Sequence, residues 1–403
     1  MEKQVYDFEW FAKEKERQKQ AQKKRRRRNI IIAALLLAGI LVVSYILSSS
    51  RCQYYVYKDE TDTEENVDVS YETFADGYLK YSGNGIEYQK TFGRSQWNVA
   101  LSYAHPFLVK SDSYALLGDK GENSLILFNE NGKVRELTLK YPIVQATVSN
   151  QGIMEVILEG TNSNYIQVYN KKGELIADTR SSVADTGYPV TAAISPDGTQ
   201  LAVSYYSIEG TAGKTSIAVY DFSRQLQSDD VTLKHVFYYD SILIPKISFI
   251  DDDTLAAFGG KSTYFYNVKD TSQNKKAVKE VKFTSDIESI FESDKYIGYV
   301  LNNTETPEKG KYILQVYNKN GAKKMERRLD MNYDSIRIWG KEIIATRENE
   351  CTILDIKGNI LFQGELEGDT IESILPAKGW RTYHVIFRDK IVKMQLQFWK
   401  NGK

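Results

Sequence analysis

The chain has 403 residues in which 53 basic side chains balance 53 acidic ones. That balance conceals an asymmetry: residues 1–28 hold eleven Lys or Arg against five Asp or Glu, a net of +6, which leaves −6 on the remainder. An acidic remainder argues against a nucleic-acid partner, whose phosphates require a basic face, and two cysteines are too few for a disulfide-built scaffold.

In chain order, the first element is a basic tail over 1–28 that ends in six consecutive cations, Lys23 to Arg28. Its aromatic segment, Tyr6, Phe8, Trp10 and Phe11, reads either as a surface-lying amphipathic helix or as a frayed, solvated one. A transmembrane helix is predicted over 29–48, because Ile30 to Leu47 carries no charge and reaches roughly 27 Å, close to the thickness of a hydrocarbon core. The adjoining cations place the tail in the cytoplasm and everything after the helix outside. A cleaved secretory signal ending at Ser48 and Ser50 is the rival reading, opposed by the long apolar core and long leader. A lipoprotein anchor at Cys52 is opposed by the bulky Arg51 before it.

Residues 49–72 are expected to form an acidic stalk, since KDETDTEENVDV at 58–69 has six acids, one base and no sustained apolar pattern. No ligand spacing or loop glycine supports a calcium site there. The outer domain, 73–403, is organised by a repeat: an apolar strand, then Asn or Asp, then Gly three residues on. It is clean in LILFNENG (Leu125 to Gly132), YIQVYNKKG (Tyr165 to Gly173), ILQVYNKNG (Ile313 to Gly321) and TILDIKG (Thr352 to Gly358). It is degenerate at Ile217 and Thr263, and an orphan copy, GIEYQKTFG, lies at Gly85 to Gly93. Aligned on Lys90, Asn129, Asn170, Asp221, Asn267, Asn318 and Asp355, the intervals are 39, 41, 51, 46, 51 and 37 residues, the length of a four-stranded propeller blade. Glycine completes a hairpin in which Asn or Asp is expected to take a left-handed backbone.

The fold class is therefore all-β: a β-propeller of seven four-stranded blades, with six or eight left open by the poorly marked fourth repeat. The strands TIESIL, TYHVIF and KIVKMQLQ that follow the last motif are expected to be completed by N-terminal strands, because an open ring leaves sheet edges exposed.

The stretch SPDGTQLAVSYY, Ser195 to Tyr206, resembles the blade motif of TolB and prolyl oligopeptidase propellers, and implies fold only. Across the chain, the order of basic tail, single helix, DGYLKYSGNGIEYQKTFG, Gly187 to Pro189 and SPDG looks like an uncharacterised family of membrane-anchored Firmicutes proteins. That resemblance implies a Gram-positive envelope protein and supplies no activity.

No catalytic, cofactor-binding or metal-ligating set emerges. His105, His235 and His384 sit in or beside strand patterns and read as structural, and Asp251, Asp252 and Asp253 read as a turn. A Cys52 to Cys351 bridge is not favoured. Trp97, Trp339, Trp380 and Trp399 read as core rather than as sugar-stacking rim residues. Phosphate loops, dinucleotide fingerprints, HExxH and nucleophile elbows are absent. The expected function is a membrane-tethered binding or scaffold module facing an envelope protein or cell-wall polymer. A glycan or peptide hydrolase with carboxylates at the ring mouth is the first alternative, an envelope sensor the second.

Overall fold

The computed structural model describes residues 8–62, 69–91, 94–223, 232–269, 277–293, 295–329 and 332–400. One helix, Phe8–Ser49, precedes 32 strands arranged as eight four-stranded antiparallel sheets. Blades 1 to 7 are simple meanders over residues 70–100, 106–138, 143–181, 188–240, 246–282, 287–329 and 335–365. The eighth combines Ile371–Pro376, Thr382–Phe387 and Lys390–Gln397 with an outer strand, Tyr54–Asp62, from the start of the chain.

Side-chain pattern follows position in the blade. Middle strands are sandwiched between neighbouring blades and are apolar on both faces, as in Ala115–Asp119, where every residue is buried. Outer strands have one wet face and alternate, as in Leu175–Ser181. The core is therefore a set of wedges between blades, not one central mass. Phe74, Leu79, Ile86 and Tyr88 of blade 1 pack on Ala115, Leu117, Ile126 and Phe128 of blade 2. Tyr71 and Tyr78 of blade 1 pack on Leu375, Ile386 and Ile391 of blade 8, which closes the ring.

The ring has eight blades, not seven. The repeat marks the hairpin after the third strand of a blade, so it counts blades whose fourth strand is covalently next. In blade 8 the third strand, Lys390–Gln397, pairs instead with Tyr54–Asp62, and no hairpin is needed. The copy at Gly85 is no orphan, because Ser70–Phe74 and Gly77–Ser82 supply the two strands before it.

The expected stalk is corrected by the same pairing. Within 49–72, residues Tyr54–Asp62 run antiparallel to Lys390–Gln397, from Tyr54 opposite Gln397 to Asp62 opposite Lys390. Tyr55 and Tyr57 pack edge-on against Phe362 and Phe387 at 5.8 and 6.4 Å. The acids that suggested a hydrated linker meet the lysines of the partner strand, with Glu60 3.0 Å from Lys390 and Asp59 4.0 Å from Lys393. Residues 63–68 of that stretch lie outside the described residues. Among the described residues no helix is long and apolar enough to cross a membrane. The span expected at 29–48 falls partly outside them, since the side chains at 41, 43–46 and 48 are not described.

Removing the closing strand should cost the ring its integrity. A chain over 70–403 is expected to be less stable than one over 49–403 by at least about 3 kcal/mol, from the exposed neighbours of Tyr55 and Tyr57 at ~1.5–3 kcal/mol each. Its free edge should also raise light scattering. Equal urea midpoints for the two chains would show that closure contributes nothing.

Candidate functional site

Because strands alternate in direction, every blade presents two ends. On the first rim lie the turns between strands 1 and 2 and the hairpins between strands 3 and 4. On the second rim lie the 2–3 turns and the connections to the next blade.

The 3–4 hairpins are held by the repeat residues, though not as expected. Asn170 Oδ1 accepts the backbone N–H groups of Lys172 and Glu174 at 2.9 and 3.0 Å, and Asp355 Oδ1 accepts those of Lys357 and Asn359 at 2.8 and 2.9 Å. No Asn or Asp among the described residues has a positive φ; the left-handed position falls on glycine, at φ 84° for Gly173 and 87° for Gly358. The Asn or Asp therefore works as a side-chain acceptor that templates the turn.

The mouth of the channel on the first rim is a cavity of about 480 Å³ whose polar lining includes Lys110, Asp112, Asn150, Asp251, Glu292 and Lys319. Adjacent turns are laced together here. Asp112 N–H donates to Asn150 Oδ1 at 3.0 Å, Asn150 N–H to the Pro196 carbonyl at 3.0 Å, and Asp197 N–H to Asp252 Oδ1 at 2.8 Å. Asp251 Oδ1 accepts the Asp253 N–H at 3.0 Å, and Lys246 stands 2.6 Å from Glu292. The three consecutive aspartates thus build a turn and an inter-blade contact, and among the described residues no group of His, Cys, Asp and Glu is placed to hold a metal ion.

Three innermost strands contribute a second ionic cluster. Glu72 of blade 1 accepts from Arg337 of blade 7 at 2.6 Å, and Lys110 of blade 2 lies 3.9 Å from the same carboxylate. Lys110 also donates to the Thr73 carbonyl at 2.7 Å and sits 5.7 Å above the Trp339 ring. Burial pushes the Lys110 pKa below its ordinary value, against the pull of Glu72. Two cations on one carboxylate leave this stretch of the ring with an excess positive charge. On the second rim, a groove of about 790 Å³ is lined in part by Tyr81, Ser82, Asn84, Glu87, Asn98 and Tyr103 of blade 1 and its exit.

Acids poised to donate protons lie elsewhere. Burial raises the pKa of Glu155 to about 8, opposed only by a hydrogen bond from Thr147 at 3.2 Å, and its Oε1 has no partner. Burial also raises Glu342, whose carboxylate accepts from Tyr383 at 2.8 Å. Neither lines the mouth or the groove. His235 is buried, bonded to the Val268 carbonyl at 2.8 Å and stacked on Phe237. Burial lowers His384 to about 4, with its ring 5.3 Å from Tyr78. His105 is exposed, and its backbone N–H is bonded to Asp119 at 2.6 Å. The cysteines are both buried in the blade 7–8 wedge and unbridged, the Cys351 thiol pushed up to about 12.

The tryptophans divide. Trp97 stacks on Phe128 at 5.2 Å and Trp339 packs between wedges, as expected of core residues. Trp380 and Trp399 are 47% and 72% exposed, which corrects the core reading for both. Trp380 sits on the 1–2 turn of blade 8 and Trp399 after its third strand, beyond the reach of any wedge. Between them Arg381, itself buried, stacks 4.8 Å from the Trp380 ring and 5.6 Å from Phe398. Its guanidinium donates to the carbonyls of Leu47 and Ser50 at 3.2 and 2.7 Å and to Cys52 Sγ at 2.9 Å. The last carbonyls of the helix are partially negative, and a cation from the propeller caps them, joining the Ser50 N–H that also reaches the Leu47 carbonyl at 3.4 Å.

These features define an eight-bladed β-propeller whose polar ends are built mainly from structural contacts. Residues 49–396 match DUF5711, a family of unknown function, and the chain belongs to that family. No curated protein matches it. Among solved structures it is similar to Sqt1 from Saccharomyces cerevisiae, at 10% identity over 87% of this chain and 100% of that one, TM-score 0.51. It is also similar to BamB from Moraxella catarrhalis, at 13% identity over 85% and 100% of the two chains, TM-score 0.49. At such identities the likeness concerns the fold alone.

Glu155 should make stability fall with pH. The folded state holds its proton up to about 8 and the unfolded state releases it near 4.5. The group's contribution is therefore complete below pH 4.5 and is lost at up to about 1.4 kcal/mol per pH unit as pH rises toward 8. Glu155→Gln, which cannot ionise, should gain on the natural chain across that window in urea unfolding. A pH-independent difference would mean that Glu155 is ionised in the fold.

Proposed function

We propose that this chain is a membrane-tethered, extracytoplasmic propeller that binds an envelope protein or a cell-wall polymer. The observation that carries the tether is the helix Phe8–Ser49: it ends against blade 8 under the Arg381 cap, and the described side chains of its apolar run are left uncovered. Ile30, Leu35, Leu36, Ile40 and Val42 are each more than half exposed, around the whole circumference of the helix. Water is a poor solvent for such a surface, at roughly 25 cal/mol per Å², and a hydrocarbon layer is a good one. The run of six cations before it supports an N-inside orientation.

The binding role is supported by what the ring does with its polar groups. The carboxylates of the mouth are spent on turns, ion pairs and inter-blade bonds, and the acids of raised pKa lie inside wedges. This weighs against the glycan or peptide hydrolase, which needs two carboxylates free to act across one bond. A rigid ring with a groove on the second rim suits recognition instead. One observation favours a sensor as the second reading: the partly buried hydrogen bonds of Arg381 join the ring to the end of the helix, so displacement of the ring would be felt by the helix.

Cysteine accessibility tests the topology, and the two natural cysteines are buried, so an introduced thiol dominates labelling. Asn131→Cys should react with a membrane-impermeant maleimide on intact cells, and Glu16→Cys only after permeabilisation. The reverse pattern, or release of the chain from membranes by carbonate, would overturn the proposal. Photo-crosslinkers at Asn84 and Asn98 should enrich an envelope component over a helix-only control.

A further inference from the structure

The exposed aromatic residues at the end of blade 8 lie beside the helix terminus, and their placement follows from the closing pairing. Tyr54 faces Gln397, so the end of strand 3, the start of the closing strand and the 1–2 turn of the blade share the first rim. The helix enters there, and Trp380, Phe398 and Trp399 form a run of ring contacts at 5.4 and 5.8 Å beside the Arg381 that caps it. Arg381 contacts Trp380 and Phe398 on one side and the Leu47 carbonyl on the other, and Leu47 is the final residue of the apolar run.

We infer that Trp380 and Trp399 form a seat for the headgroup region of the bilayer that the helix crosses, so that the first rim faces the membrane and the groove of the second rim faces away. The inference rests on the membrane-tethered reading above. Indole rings carry an apolar body and one N–H donor, and they settle where hydrocarbon gives way to headgroups. These two are tied to the residue where the apolar run ends, which is the depth at which such a boundary falls. Exposed Lys378 and Lys400 flank them, and their cations suit lipid phosphates. The contact is continuous with the helix and needs no second protein.

The test uses the full chain in liposomes containing brominated phosphatidylcholine, with Trp10→Phe to remove the tail indole. Emission from this protein should be quenched, and most of the quenching should vanish in the Trp380→Phe/Trp399→Phe variant, whose exposed positions leave the core intact. Dyes at Asn131 on the first rim should transfer energy to a lipid-borne acceptor more efficiently than dyes at Asn84 on the second. If the protein floats with the liposomes but quenching is unchanged by the double substitution, the seat is wrong and the tether stands. A double variant that instead turns a dimer into a monomer assigns the patch to a second copy and overturns the seat. A protein that does not float refutes tether and seat together.

Discussion

The pairing of Tyr54–Asp62 with Lys390–Gln397 is the contact on which the rest of the molecule depends. Seven blades are meanders, each stabilised by its own hairpins and by wedges shared with neighbours. Blade 1 meets blade 8 through the wedge of Tyr71, Tyr78, Leu375, Ile386 and Ile391, and the closing strand adds a covalent tie by making the start of the chain part of the end. It also completes the wedge in which Cys52, Cys351, Phe362 and Phe387 lie. Such a contact spans over 300 positions of sequence and closes an enormous loop. It is affordable only because loop entropy rises slowly with length.

How much of this was legible depended on whether the deciding partners are local. The hairpin after the third strand is local: Asn or Asp accepts two N–H groups and glycine takes the left-handed position, both within five residues, so seven blades announce themselves. The eighth lacks that hairpin and was invisible to a count of hairpins. The closing strand misled because half its residues are acidic or exposed, and a charged outer strand has the composition of a linker. Its counterions, Lys390 and Lys393, lie some 330 positions away. The Glu72, Lys110 and Arg337 cluster was illegible for the same reason, since only ring closure brings blades 1, 2 and 7 to one channel. Trp380 and Trp399 could not be told from core tryptophans by residue type; what separates them is that they lie past the ends of their strands.

The ring spends its charge on geometry. At the first rim, carboxylates and amides lace the 1–2 turns of successive blades. In the channel, ion pairs join innermost strands that share no hydrogen-bonded ladder. Partly screened pairs contribute little to stability, of order 0–1 kcal/mol each, so their value lies in fixing the angular spacing of blades that apolar wedges alone would allow to slide. A girdle of this kind holds the mouth rigid and leaves few side chains free for chemistry. Variation in the second rim, where turns and connectors carry the groove of about 790 Å³, is less constrained.

The position of the helix adds one mechanical consequence. It joins the outer strand of a single blade, and three strand spacings of about 4.8 Å separate that strand from the innermost one. The channel axis therefore stands at least roughly 14 Å off the line of the helix, before the radius of the channel is added. If the helix is a tether, as proposed above, one so far off-centre would act as a hinge about one edge of a disc, and the Arg381 cap would resist tilting with only a few hydrogen bonds close to the pivot. A contact of the same blade with the surface that holds the helix resists tilting through a second point. Arg381, which caps the helix, and Trp380, one half of the proposed contact, are adjacent in the chain on the turn from Ala377 to Arg381. In the arrangement proposed above, one short turn would both cap the helix and help set which way the ring faces.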